Sequence, residues 1–401
     1  MRTPLQPISG VIVVDAGQQF AAPYATLLLA LAGADVIKVE PRGGEALRRR
    51  DEIHGSGAGL PFHFLNANKR SVTLDLRQAA GRQLFLELAD RAAAVVENYR
   101  PGVLDRLGVG PDVLRARNPS IIVASGSGYG QTGAYADLAA MDLTIQAMSG
   151  VVASTGFVEG PPVKAGPAIA DFLGGIHLYG AITTALYRRA VTGQGARLDV
   201  AMLDAGFPSL ISNIGAVLGA DVPPPDRTGD RNGGLSVYPY NIYPTVDGHI
   251  AILSIGDHHW QALAGAIGRP ELAKDPRYAT TVARVRSMNE VDEVVATWAI
   301  AHDTESVFAR LRNVGIPCAP VRRLPDVMAD QHFRERGMIQ DLDVEGLGQL
   351  PFVHTPMYFA GEQRLPLQDT PALGADNDAV YGGWLGHSAD DLATLRRDGV
   401  I

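Results

Sequence analysis

The chain has 401 residues, of which 46% are hydrophobic and 19% charged, and its formal net charge is −8. That length suits two or three domains with sizeable cores, and the negative charge gives no general attraction to nucleic acid or an anionic membrane. The single cysteine, Cys318, excludes an internal disulfide and a cysteine-based zinc site and fits a reducing compartment. Any polyphosphate ligand therefore has to be met by local arginines.

The first half of the chain alternates short runs rich in β-branched residues with helical patterns. This alternation predicts an α/β layer with a largely parallel sheet. The predicted strands are 11–15, 35–40, 71–76, 94–98, 121–125 and 197–200. The predicted helices are 21–32, 79–92, 103–107, 112–117, 137–148 and 172–189.

The prolines at 223–225 predict a stiff linker and the start of a second domain. Val246-Asp247-Gly248 predicts a hairpin between strands 238–245 and 249–254. We therefore divide the chain into domains at 1–220, 221–325 and 326–401. The further predicted helices are 258–267, 286–301, 304–314 and 389–398, and the further extended segments are 317–321, 339–344 and 352–359.

Targeting and membrane signals are missing from the sequence. The first ten residues lack a basic segment followed by an apolar run. The longest apolar stretches, 24–31 and 210–220, fall short of the roughly 20 residues that span a bilayer. We therefore expect a cytoplasmic protein with no membrane partner.

Asp171 is the most informative single residue. It ends an extended stretch containing glycine and proline and precedes an apolar helical run, which predicts a helix N-cap where the free N–H groups favour an anion. Nearby glycines would let a substrate approach, as carboxylate nucleophilic catalysis requires. Local sequence leaves both interpretations open, a plain structural cap and a nucleophile.

Several other kinds of site are poorly supported. The Gly126–Gly130 segment contains a GxGxG string but no helix pattern follows it, so we interpret it as a tight turn rather than a dinucleotide site. The His258-His259 pair has no nearby carboxylate at ligand spacing, and no metal site is predicted. No GxSxG elbow follows a strand, so serine hydrolase chemistry is not indicated.

Six motifs, in their order and spacing, resemble those of the class III coenzyme A transferases, the CaiB/BaiF family. The motifs are 33–40, 68–76, 97–102, 125–133, 146–150 and the segment around Asp171. The resemblance covers nearly the whole chain. It implies that Asp171 is a covalent nucleophile. Asp142 matches a carboxylate that lies beside the nucleophile in some transferases, and a polar residue in the first turn of a helix is the alternative interpretation.

The resemblance also implies an architecture and a coenzyme A site. The fold would be a large Rossmann-like domain rejoined by the C-terminal segment, a smaller α+β domain, and a homodimer interlocked near 221–228. Guanidinium groups suit the phosphates of coenzyme A, so we add Arg42 and Arg48 as candidates. Phe20 stands where a glutamine is known in the family. The implied coenzyme A positions are Phe20, Ala21, Leu74 to Arg77, Asn98, Tyr99, Arg100 and Arg106.

The activity implied is transfer of coenzyme A from an acyl-CoA, such as succinyl-CoA, to a free carboxylic acid, such as a small dicarboxylate or a branched acid, without a metal. Asn232–Gly234 matches a loop that closes over the site in some relatives. A racemase is one alternative, but Met141 stands where that branch has a histidine, and a thioether cannot take a proton. A non-catalytic coenzyme A-binding subunit is the other.

Overall fold

The computed structural model describes residues 6–50, 57–219, 221 and 224–401, so the predicted proline linker lies partly outside the described residues. The chain forms two compact units. The first comprises the described residues up to Ser149, Gly166–Gly206 and Asp330–Ile401. The second comprises Gly150–Ala165 and Phe207–Ala329. The second unit thus begins at Phe207 and takes in residues 150–165, whereas the sequence analysis drew its boundary at 221.

The first unit is built on a six-stranded parallel sheet in the order β3-β2-β1-β4-β5-β6. Its central strands are apolar and buried on both faces, as expected for a parallel sheet covered by helices. The order reverses between β1 and β4, which confirms the Rossmann-like prediction and creates a crevice at their carboxyl ends. The strands are β1 Ile12–Asp15, β2 Asp35–Glu40, β3 Arg70–Thr73, β4 Ala94–Glu97, β5 Ile122–Ser127 and β6 Ala196–Ala201.

Helices connect these strands and continue through both units. The helices of the first half of the chain are α1 Ala21–Leu31, α2 Ala46–Arg49, α3 Leu60–Asn66, α4 Ala79–Arg91, α5 Val103–Arg106, α6 Pro111–Arg117, α7 Asp142–Met148, α8 Val151–Ser154 and α9 Ile169–Thr192. Those of the second half are α10 Met202–Gly206, α11 Ile211–Gly219, α12 Asp257–Ala266, α13 Thr281–Arg286, α14 Met288–Ala299, α15 Thr304–Asn313, α16 Leu324–Met328, α17 Gln331–Glu335 and α18 Ala389–Arg397.

Helix α9 positions the candidate nucleophile. Its glycines permit close packing, because a Cβ at Gly175 would lie 2.7 Å from the Ala21 carbonyl oxygen and one at Gly174 would lie 2.9 Å from Met202. By length and composition alone this 24-residue helix could cross a membrane, which corrects the prediction that no apolar stretch reaches that length. It packs against α1 and β5, and core helices pass the same test, so this is weak support for a span.

The C-terminal segment covers the edge of the sheet. The Ser71 and Thr73 N–H groups donate to the side chains of Asp376 and Asn377 at 2.8 and 2.9 Å, and the Tyr381 hydroxyl donates to the Thr73 carbonyl at 3.0 Å. An exposed strand edge is thereby paired. The segment also contains the antiparallel pair β10 Ile339–Val344 and β11 Gly348–Val353. The extended segment predicted at 352–359 overlaps β11 only at its start, because β11 ends at Val353, shortly before Pro356.

The second unit contains a three-stranded antiparallel sheet over a helical core that includes Trp260. The hairpin predicted around residues 246–248 is present. The predicted helix 286–301 starts later, because Ser287 separates α13 from α14. Cys318 is partly buried in this sheet, where burial raises the pKa of its thiol. The strands are β7 Tyr240–Pro244, β8 His249–Leu253 and β9 Cys318–Pro320.

Candidate active site

Asp171 lies in the first turn of α9 but does not cap it. The helix begins at Ile169, its N-cap is Ala168, and Asp171 is the third helical residue. The predicted N-cap role is therefore wrong. The helix starts earlier than its apolar run, because an acceptor from elsewhere in the chain satisfies its first N–H groups.

That acceptor is Asp142, the first residue of α7. One of its carboxylate oxygens accepts from the Ala170 N–H at 2.9 Å and from the Asp171 N–H at 3.4 Å. Its other oxygen accepts from the Gln146 amide at 2.6 Å. Asp142 thus supplies the anion that the N-terminus of α9 favours, and it fixes α7 against α9.

The Asp171 carboxyl itself is left without a stabilising donor. Within the described ranges, no hydrogen-bond donor reaches its oxygens. Burial raises its pKa to about 7, and the neighbouring charge of Asp142 contributes to the same shift. A desolvated carboxylate that is only partly ionised at neutral pH is typical of catalytic sites, because its anion is more reactive than a solvated one.

The loop that follows β1 lies at the switch point of the sheet and is clamped by the residue that follows β4. Asn98 pairs with the Gln18 peptide unit: its side-chain oxygen accepts from the Gln18 N–H and its amide donates to the Gln18 carbonyl, both at 2.8 Å. Gln19 has a φ of +63°, and its N–H donates to Glu45 at 3.3 Å. Asn98, which the resemblance implies as a coenzyme A position, has its side chain committed to holding this loop.

Buried charged side chains, Asp15, Lys38 and Lys69, also hold the loop that follows β1. Lys38 donates to the Gly17 carbonyl at 2.8 Å, and Lys69 donates to Asp15 at 2.9 Å. Burial raises the pKa of Asp15, but the charges of Lys69 and Lys38 outweigh it and hold that pKa below its usual value. Burial lowers the pKa of Lys69 to about 8. Sequence analysis missed this cluster, although Lys38 and Glu40 inside the otherwise apolar β2 were a signal.

Six of the predicted coenzyme A positions line one cavity of about 460 Å³. They are Arg42, Leu74 to Arg77 and Tyr99, and they follow strands β2, β3 and β4. Arg77 is 85% exposed and also donates to Asp75, whose pKa it lowers to about 2. Two guanidinium groups at the rim make this cavity suitable for a phosphorylated ligand.

The remaining predicted positions lie apart from that cavity. Phe20 and Ala21 begin α1, with Phe20 directed toward the α9 residue Phe172. Arg100 and Arg106 are exposed, and no carboxylate within the described part of the chain pairs with them. Arg48, a further candidate, is buried and donates to both carboxylate oxygens of Glu40, at 2.8 and 2.9 Å. It therefore cannot turn to a phosphate without leaving Glu40 unpaired.

Two further candidates have clear surroundings. Met141 precedes α7, its N–H donates to Thr144 at 2.9 Å, and the residue is 60% exposed. In the second unit, a Cβ at Gly233 would lie 2.7 Å from the side chain of Asn213, so the glycine allows its segment to pack on α11. Closure of that segment over a substrate stays a prediction. The described residues contain no group of three or more acidic, histidine or cysteine side chains placed to hold a metal.

Comparisons with known proteins show the family that the six sequence motifs resemble. The model of CoA-transferase family III matches residues 8–377. The succinyl-CoA–D-citramalate CoA-transferase of Chloroflexus aurantiacus is 34% identical over 405 residues, 99% of each chain. The succinate–glutarate CoA-transferase of Agrobacterium fabrum is 34% identical over 92% of this chain and 93% of its own. A crystal structure of a CaiB/BaiF family protein from Brucella suis has a TM-score of 0.82 at 32% identity, covering 95% of this chain and 100% of the other.

Proposed function

The chain belongs to CoA-transferase family III, and we propose that it moves coenzyme A from an acyl-CoA to a free carboxylic acid with Asp171 as covalent nucleophile. The observation that carries this proposal is the environment of Asp171. Its carboxyl is desolvated, receives no hydrogen bond from the described residues, and lies beside the anchored Asp142. A carboxylate that only capped a helix would be bonded to the helix N–H groups, as Asp142 is.

The proposed reaction exchanges activated acyl bonds. An Asp171 oxygen attacks the thioester carbonyl, the carbon–sulfur bond breaks, and coenzyme A leaves as a thiolate from an aspartyl–acyl anhydride. The thiolate attacks the aspartyl carbonyl, which releases the donor carboxylate and leaves a thioester on Asp171. The acceptor carboxylate attacks that thioester, and the thiolate then attacks the acceptor's acyl carbonyl to give the new acyl-CoA and free Asp171. Every activated bond broken is replaced by another, so no ATP is consumed.

The surrounding residues have positioning roles in this scheme. Asp142 holds the first turn of α9, and Asn98 holds the loop before α1. No side chain caps the N-terminus of α1, so the N–H groups of Ala21 and Ala22 are candidates to stabilise the tetrahedral oxyanions. A dry site is required, because water would hydrolyse either intermediate.

Coenzyme A is proposed to bind in the 460 Å³ cavity, with its phosphates at Arg42 and Arg77 and further contacts from Leu74 and Tyr99. Arg100 and Arg106 are available for its outer phosphates. Succinyl-CoA is the first donor to test, because a relative 34% identical is named for its use. The single cysteine of the chain fits a reducing compartment, so we propose a cytoplasmic enzyme.

A homodimer is proposed from apolar surface that a single chain leaves uncovered. Helix α11 is rich in apolar residues and none is buried; Ile211 is 69% exposed and Leu218 is 81% exposed. On α9, Tyr187 is 75% exposed and Val191 is 66% exposed. Exposed apolar surface of this kind is typical of interfaces. Sedimentation should find a dimer that survives dilution, as interlocked chains require, and a monomer would contradict it.

Labelling of Asp171 tests the mechanism. Incubation with a donor acyl-CoA alone should label the peptide that contains Asp171, and hydroxylamine or borohydride should trap the activated carboxyl. Asp171→Asn should give neither label nor transfer. A racemase would instead exchange the α-proton of the acyl group and leave Asp171 unmodified. Transfer at the normal rate without label at Asp171, under conditions where the donor turns over, would refute the covalent mechanism.

A further inference from the structure

We propose that the acceptor is an apolar monocarboxylic acid, with a medium-chain, branched or aromatic group, and that its acyl part occupies an apolar cavity beside the turn carrying Asp171. The inference rests on the proposed function and names the substrate class of the same site. Because succinyl-CoA is the donor proposed above, an apolar cavity is assigned to the other acid, the acceptor.

The cavity has a volume of about 450 Å³ and lies wholly within the first unit. That volume is within the range of pockets that take small ligands. Its wall is formed by aromatic and aliphatic side chains from α1, α3, α9 and the β10–β11 segment. Those most relevant to the argument are Phe20, Tyr24, Phe64, Phe172, Met338 and Val353.

The position of the cavity connects it with both halves of the proposed reaction. Phe172 directly follows Asp171 in the first turn of α9, and its ring packs edge-on against Tyr24 with centroids 4.7 Å apart. The loop after β1 leads from Ala16, which lines the coenzyme A cavity, to Phe20, which lines the apolar one. Opposite ends of one loop therefore line the two cavities, and we assign the acyl group of a bound thioester to the apolar one.

The polar groups of the cavity wall argue against a second carboxylate in it. None of the lining side chains is an arginine or a lysine. His354 has both ring nitrogens occupied, with the Leu365 carbonyl at 2.9 Å and the Thr355 N–H at 2.8 Å, and burial lowers its pKa. The hydroxyls of Tyr24 and Thr355 are the remaining side-chain donors on this wall, but they carry no charge. A buried carboxylate without a cation is costly, whereas methylene and aromatic groups gain from leaving water.

Equilibrium binding to the Asp171→Asn protein tests the inference without requiring turnover. Acetyl-, butyryl-, hexanoyl-, phenylacetyl- and succinyl-CoA would be titrated by calorimetry. Each methylene that enters the cavity should tighten binding about fourfold. We expect hexanoyl- and phenylacetyl-CoA to bind at least tenfold more tightly than acetyl-CoA, and succinyl-CoA to bind no better than butyryl-CoA.

A matched pair of variants in the same background locates the effect. Val353 lines the cavity and is 57% exposed, so Val353→Trp adds bulk there without overpacking a core. It should remove most of the preference for hexanoyl-CoA while leaving acetyl-CoA binding within about twofold. Val246 is 66% exposed in the hairpin of the second unit and lines neither cavity, so Val246→Trp should change nothing.

Three results would overturn the inference. These are affinity independent of acyl length, a preference for succinyl-CoA over butyryl-CoA, or a length preference that Val353→Trp leaves intact. A Val353→Trp protein that changes oligomeric state without changing acyl affinity would mean that a second chain covers the cavity, which also refutes the proposal. Failure of the covalent mechanism is separate, because it appears as missing label at Asp171 while the affinity series is unaffected.

Discussion

Replacement of Asp171 by asparagine should abolish transfer and, unusually for an active-site change, stabilise the folded protein at neutral pH. An unfolded aspartate titrates near 3.8, whereas the folded environment raises the pKa of Asp171 to about 7. The difference corresponds to about 4 kcal/mol, and because the side chain is only partly buried, solvent reduces this to about 2 to 3 kcal/mol. Asparagine has the same shape and carries no charge to bury.

Because the pKa of Asp171 is raised in the folded protein, the stability difference between the two proteins depends on pH in a defined direction. Between pH 4 and pH 7 the native carboxyl keeps a proton that the unfolded chain has released, so rising pH favours unfolding of the wild type through this group. Asparagine does not titrate. The advantage of Asp171→Asn should therefore be absent below about pH 4, increase through this window, and reach its full value above about pH 7.

Urea unfolding of both proteins at pH 5 and pH 8 measures this dependence. The advantage of Asp171→Asn should grow by about 1 to 2 kcal/mol between the two pH values, with equal denaturant slopes. Asp112→Asn is the matched control, because it makes the same substitution at a side chain that is 90% exposed. An advantage of Asp171→Asn that does not change with pH, or a variant less stable than wild type at pH 8, would refute the argument that burial and Asp142 raise this pKa.

Three further outcomes follow from the same site. The kcat/KM for an acyl-CoA should rise about tenfold per pH unit below pH 7 and level off above it, because only ionised Asp171 attacks; a profile flat between pH 5 and pH 8 would contradict this. Asp142→Asn removes the neighbouring charge but keeps an oxygen for the α9 N–H groups, so the profile should move to lower pH, while loss of the acceptor for Gln146 should lower stability by about 1 kcal/mol. Asn98→Ala breaks both bonds to Gln18 and should destabilise the protein by about 1 to 3 kcal/mol and lower kcat/KM, whereas unchanged kinetics would mean that the loop conformation is not needed.

The layer of strands and helices in the first unit could be predicted because its signals are local. Strand β2 lies at the predicted 35–40, since a buried parallel strand is read from a run of β-branched residues alone. Boundaries were less accurate where a partner decides them. Strand β3 ends at Thr73 rather than at residue 76, and the Asp75 N–H donates to the Val400 carbonyl of the C-terminal segment instead of to a strand.

The sequence predicted which residues form the candidate site but not which hydrogen bonds they make, because those hydrogen bonds join residues far apart in the chain. Asp142 is 28 residues from the N–H group it accepts from, and Asn98 is 80 residues from Gln18. No local pattern at Asp171 shows that another carboxylate occupies the helix N-terminus. Likewise, no local pattern at Arg48 indicates that its guanidinium pairs with the buried Glu40.

The two aspartates show how one helix end can assign different roles to identical side chains. The Asp142 carboxylate accepts hydrogen bonds from the Ala170 and Asp171 N–H groups and from Gln146, so its lone pairs are engaged and attack on a thioester would cost those bonds. The Asp171 carboxyl accepts no hydrogen bond from these N–H groups and is desolvated, so it has the least to lose when it forms a covalent bond. Exchanging the two roles would require unwinding the first turn of α9. The nucleophile is therefore selected by which carboxylate the helix N–H groups leave unbonded, and Asp142 contributes to catalysis by occupying them.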